Sequence, residues 1–103
     1  MSARADALRA LLAQDPNNAF ARYGLALDHA NRGDLESAVQ EFQTVIANNA
    51  DYCAAYFHGG QTLEKLGRLP EAAGLYRQGI EATRRTGDAH TRSELEAALS
   101  MIA

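Results

Sequence analysis

A chain of 103 residues, 47% hydrophobic and 22% charged, has the composition of one small globular domain with a modest core. Its formal net charge of −3, from 10 Lys and Arg against 13 Asp and Glu, argues against nucleic acid as a partner, because phosphate binding needs a basic face. The single cysteine, Cys53, leaves no internal disulfide and suits a reducing, cytoplasmic setting, where it reads as a small buried apolar side chain.

The first predicted element is a helix over 2–14, with Leu8, Leu11 and Leu12 on one face. Asp6 and Arg9 interrupt its apolar run, so it suits neither a signal peptide nor a membrane span. Two arginines are too few to favour a membrane surface, and the helix is expected to pack on its neighbour. "QDPNN" around Pro16 is a turn. From Ala19 to Asn31 apolar residues recur at three and four, and Gly33 ends that second helix as a left-handed cap. A third helix starts near Leu35, and its stripe is Ala38, Val39, Phe42, Val45 and Ile46. "NNAD" around Asn49 is the next turn, and the fourth helix runs on to a cap at Gly67.

That fourth helix holds Gly59 and Gly60 side by side, although each interior glycine costs about 1 kcal/mol relative to alanine. The fifth helix starts near Leu69, with Pro70 in the first turn, where a missing N–H is harmless. Its stripe is Ala72, Leu75, Tyr76, Gly79 and Ile80. The pair Arg84 and Arg85 falls where this helix ends and complements its dipole. "RTGD" at Arg85 to Asp88 precedes a sixth helix over 88–102. Leu95, Ala98, Leu99 and Ile102 face inward there, and Arg92, Glu94 and Glu96 face outward, as in a cap. Thr91 followed by Glu94 reads as a capping box, with Asp88 as the rival cap.

An internal repeat ties these elements together. With an offset of 34 residues, Gly33 falls on Gly67, Tyr23 on Phe57, Ala26 on Gly60, Ala38 on Ala72, Phe42 on Tyr76 and Ile46 on Ile80. The same shift places Leu8 on Phe42 and Leu12 on Ile46, so the first helix reads as the second half of an earlier unit. The patterns "Y-x-L-A…G-D-L-x-x-A-x-x-x-F" from Tyr23 to Phe42 and "F-x-G-G…G-R-L-x-x-A-x-x-x-Y" from Phe57 to Tyr76, with "DPNN" at Asp15 to Asn18, resemble tetratricopeptide repeats.

The resemblance implies an all-α fold: a right-handed α-solenoid of antiparallel helix pairs, about six helices in one domain, 1–103. Its parts would be an N-terminal half-repeat helix at 2–14, repeats at 19–52 and 53–86, and a capping helix at 88–102. Ala50 departs from the family's proline, Gly59 from its leucine and Gly79 from its alanine, which predicts looser packing in the second unit. Gly60 takes the family's small position and is expected to press against its partner helix beside Ala72. Gly59 is either a gap or a point of close approach.

In the family the first helices of the units line a concave groove that receives a peptide or helix. Here that lining would be Phe20, Tyr23, Leu27 and Asn31, then Phe57, Gln61, Glu64 and Lys65. Tyr23 and Leu27 stand where the carboxylate-gripping variant needs lysine and asparagine, so the expected partner is a protein segment with apolar side chains. The plainer reading packs Phe20 and Tyr23 under the first helix. A second functional reading is a homodimer, formed through the groove or through the open stacking face of the N-terminal half-repeat. A third is a weak metal or small-ligand site near His29 and His58, which fall on adjacent helices. His29, His58 and His90 have no metal-ligand spacing, Cys53 has no activating histidine nearby in sequence, and no phosphate loop is present. No catalytic residue, cofactor or membrane partner is therefore expected.

Overall fold

The computed structural model describes residues 2–103, and among these it contains six helices and no strand. They are α1 (Ala3–Gln14), α2 (Ala19–Asn31), α3 (Leu35–Asn48), α4 (Cys53–Lys65), α5 (Leu69–Thr86) and α6 (Ala89–Ile102). Side-chain caps start three of them by satisfying a first-turn N–H that the helix cannot. Ser2 accepts from the Ala5 amide, Asn18 from Ala21 and Asp88 from Thr91, each at 3.0 Å. Thr91 thus lies inside α6, and the capping box expected from Thr91 and Glu94 gives way to Asp88.

Gly33 and Gly67 both take positive φ, 80° and 77°. Behind each, the chain closes with the same bonds. The Asp34 amide donates to the His29 carbonyl and the Arg68 amide to the Leu63 carbonyl, both at 2.9 Å. This is a Schellman ending, and an L side chain in that conformation is strained.

The core runs through the stack in three joined clusters. Ala5, Leu8, Ala21 and Leu25 join α1 to α2. Ala26, Ala38, Phe42, Val45 and Ala55 join α2, α3 and α4. The largest cluster lies under α4, α5 and α6, around Tyr56, Leu63, Tyr76, Ile80 and Leu95. Phe42 and Tyr76, paired by the repeat, are both fully buried.

The second unit is not loosened by its glycines. A Cβ on Gly60 would sit inside the ring of Tyr76, so the group it meets first on the partner helix is that ring. A Cβ on Gly79 would lie 2.5 Å from Tyr56 Cβ and 3.0 Å from Leu95 Cδ1. Gly59 marks an approach and not a gap, with Leu75 Cδ2 at 2.9 Å and Phe42 Cβ at 3.3 Å from its ideal Cβ. Volume removed at the three glycines is taken up by Tyr56, Tyr76 and Leu75, which keeps the interior filled.

The turn between α3 and α4 is held by two ties, one from within α4 and one from the end of α5. Tyr56 donates its hydroxyl to the Ala50 carbonyl at 2.6 Å, and Arg85 donates to Asp51 at 2.9 Å and to the Ala50 carbonyl at 3.2 Å. Arg85 therefore does more than face the helix dipole. The stack also has two distinct sides. The backbone of α4 comes close to both α2 and α6, whereas α3 and the start of α5 meet through side chains, among them the Glu36–Arg68 ion pair at 3.1 Å. The helix backbones therefore draw closer together on the α2–α4–α6 side than on the other.

Candidate partner-binding groove

The face made by α2, α4 and α6 carries the residues singled out from the sequence, but it holds them in different ways. Phe20, at the start of α2, is 68% exposed and packs under nothing. Tyr23 is half-buried, and its support comes from α3 and α4, not from α1. Its ring meets Phe42 edge-on with centroids 5.9 Å apart, Tyr52 at 5.0 Å and His58 at 5.9 Å. Burial, with the nearby charges of Tyr52 and Glu94, pushes its phenol up to about 12. Leu27 is half-buried against the same cluster, and Asn31 is exposed at the end of α2.

On α4, Phe57 is half-buried, edge-on to His58 at 5.2 Å and tilted against Tyr76 at 6.5 Å. Gln61 and Lys65 are exposed. Glu64 is half-buried and accepts a short hydrogen bond from the Tyr76 hydroxyl. The carboxylate is thereby fixed at the groove wall by a residue of the core. Tyr23 and Phe57 are brought together through His58, which both rings touch. Phe20 and Asn31 stand at opposite ends of α2. Gln61, Glu64 and Lys65 line a shallow depression.

His58 lies in the middle of this face, stacked on Phe42 at 6.5 Å as well as touched by Tyr23 and Phe57. Desolvation lowers its pKa, and the charge of Glu94 opposes that shift. His29 is engaged elsewhere, with Nδ1 3.4 Å from the Asp34 carboxylate. Among the described residues, no group of three or more His, Cys, Asp or Glu side chains is placed to hold a metal ion. The metal reading of His29 and His58 thus lacks a ligand set there. Cys53 is buried, its sulfur 3.4 Å from both the Asp51 carbonyl and Thr86 Oγ1.

The sequence reading missed the contribution of α6. Phe57 and Gln61 face Glu94, Ala97, Ala98, Ser100 and Met101 across a cleft of about 400 Å³. Met101 is 84% exposed. Residues 94, 97, 98 and 101 follow helical spacing, so a second face of α6 was visible in the sequence. Treating the helix only as a cap concealed it. Tyr52, just before α4, was missed because it precedes the helical pattern.

Comparison with known proteins gives a consistent picture. A family model described as "Tetratricopeptide repeat" matches residues 2–52 and 23–89. A TPR repeat-containing protein of Pseudomonas aeruginosa is 27% identical over 90 residues, covering 87% of this chain and 86% of that protein. The solution structure of a tetratricopeptide repeat domain protein from Salinibacter ruber is 34% identical, with a TM-score of 0.80 over 85% of this chain and 89% of the other. The type III secretion translocator chaperone SycD of Yersinia enterocolitica shares the fold at 17% identity, with a TM-score of 0.87 over 95% of this chain and 68% of that one.

Proposed function

This chain belongs to the tetratricopeptide repeat family, and from that premise we propose that it is a non-catalytic interaction module that docks a protein segment on its α2–α4–α6 face. The observation that carries this reading is the row formed by Phe20, Tyr23 and Phe57. Phe20 is open to solvent, while Tyr23 and Phe57 are each anchored by aromatic neighbours and only half covered. Aromatic side chains held rigid by a scaffold lose little entropy on binding and make good anchors for apolar groups of a partner. Leu27, Asn31, Gln61, Glu64 and Lys65 complete the proposed lining. SycD, of the same fold, is a translocator chaperone, which supports a role that acts on other proteins. Among the described residues no helix is long and apolar enough to cross a membrane, and the lone buried thiol fits a cytoplasmic location.

The test uses exposed positions, so that folding is not in question. Phe20→Ala and Gln61→Arg should abolish capture of the protein's partners from its own cells, whereas Gln78→Arg on α5 should leave capture intact. Equal capture by all three variants refutes the groove.

A second reading, self-association, has one observation in its favour: Leu11 of α1 is 45% exposed at the N-terminal end of the stack. Light scattering across a concentration series decides it, because a mass that stays at one chain throughout removes the homodimer.

A further inference from the structure

Resting on the groove reading, we propose that the cleft between α4 and α6 is a subsite for one lysine or arginine side chain of the docked segment, with Glu94 as its counter-charge. The walls of the cleft divide by chemistry. Phe57, Ala97, Ala98 and Met101 offer apolar surface, Gln61 and Ser100 offer neutral polar groups, and Glu94 is the single charged residue of the lining. A volume of about 400 Å³ accommodates one long side chain. The hydrocarbon stem of a lysine or arginine covers apolar wall while its charged head reaches the Glu94 carboxylate. The face of Phe57 adds attraction for a cation beyond the carboxylate itself.

Charge on this face points the same way. Glu64 is already committed to the Tyr76 hydroxyl, and Lys65 belongs with Glu64 to the adjoining depression. Glu94 is paired with His90, which is 3.7 Å away, 86% exposed and charged only if protonated. An exposed carboxylate beside Phe57 and the apolar side chains of α6 is complementary to a basic side chain flanked by apolar ones. It disfavours an acidic segment.

The experiment is a selection of short random displayed peptides on the intact protein, followed by titration of a synthetic, fluorescently labelled winner. Wild-type protein should enrich peptides with Lys or Arg at a fixed spacing from an apolar residue. Glu94→Gln should weaken the labelled peptide about tenfold, and so should replacing the peptide's basic residue with norleucine. The two changes together should cost no more than either alone, because they remove the same contact. Thermal melts of Glu94→Gln, an exposed and nearly isosteric change, separate lost binding from lost folding. Peptides that need Phe20 but carry no basic residue, or bind Glu94→Gln as well as wild type, overturn the subsite and leave the groove standing. A selection that yields no peptide dependent on Phe20 overturns both.

Discussion

The ring of Tyr76 lies against the backbone of Gly60, in the space where a side chain at position 60 would be. One core residue thereby sets two features: the close approach of α4 to α5, and the position of Glu64, which the Tyr76 hydroxyl holds at the groove wall. Gly60→Ala gains about 1 kcal/mol of helix propensity but must displace a fully buried ring, an overpacking that costs about 1–3 kcal/mol. Urea denaturation should show Gly60→Ala and Gly79→Ala as net destabilised. Gly59→Ala should be milder, because its nearest obstacle is the flexible end of Leu75. Gly74→Ala, whose Cβ would meet nothing within 4 Å, should stabilise by roughly 0.5–1 kcal/mol.

Alkaline titration reports the same packing. Phenolate absorbance should show Tyr23 ionising near pH 12, and Tyr76 also well above the ordinary 10.0 because of burial and its bond to Glu64. Both groups are raised in the folded state. Their contribution to stability is thus complete below the unfolded value of 10.0 and is lost as pH rises toward the folded values. Tyr76→Phe should remove one of the raised components while leaving that of Tyr23.

These details mark how far the sequence could be read. The caps at Gly33 and Gly67, and the buried pair Phe42 and Tyr76, were legible because each depends on a local signal repeated at one offset. What touches Gly60 was not legible. Alignment names the small residue, but the direction taken by the Tyr76 ring is set by packing between helices. The neighbours of Tyr23 were hidden for the same reason, since Phe42, Tyr52 and His58 come from three later parts of the chain. The contribution of α6 was hidden because that helix departs from the repeat.

His58 should make stability depend on pH in mildly acid solution. Its folded pKa is lowered from 6.5 by desolvation, with Glu94 opposing. A lowered value means that the unfolded chain binds the proton more readily. The contribution is complete above pH 6.5 and is lost as pH falls through the folded value. His58→Asn should flatten that decline between about pH 7 and 5. An unchanged slope would show that His58 is not the group responsible.

Phe20 and Tyr23 should separate binding from folding. Phe20→Ala should change stability by no more than about 0.5 kcal/mol, as expected at an exposed position. Tyr23→Ala removes three aromatic contacts and should cost about 2 kcal/mol, so any loss of binding it causes will be mixed with a weakened fold. Chemical denaturation of both variants checks the contrast.

The central claim is that partners dock on the side where α2, α4 and α6 meet. Backbone amide shift mapping by NMR, on addition of a selected peptide to the 15N-labelled protein, tests it most directly. The account predicts perturbations concentrated at Phe20, Tyr23, Phe57, Gln61 and Glu94, with Gln43 and Gln78 on α3 and α5 unmoved. Perturbations centred on Gln43 and Gln78, with Phe57 and Glu94 unmoved, would contradict it.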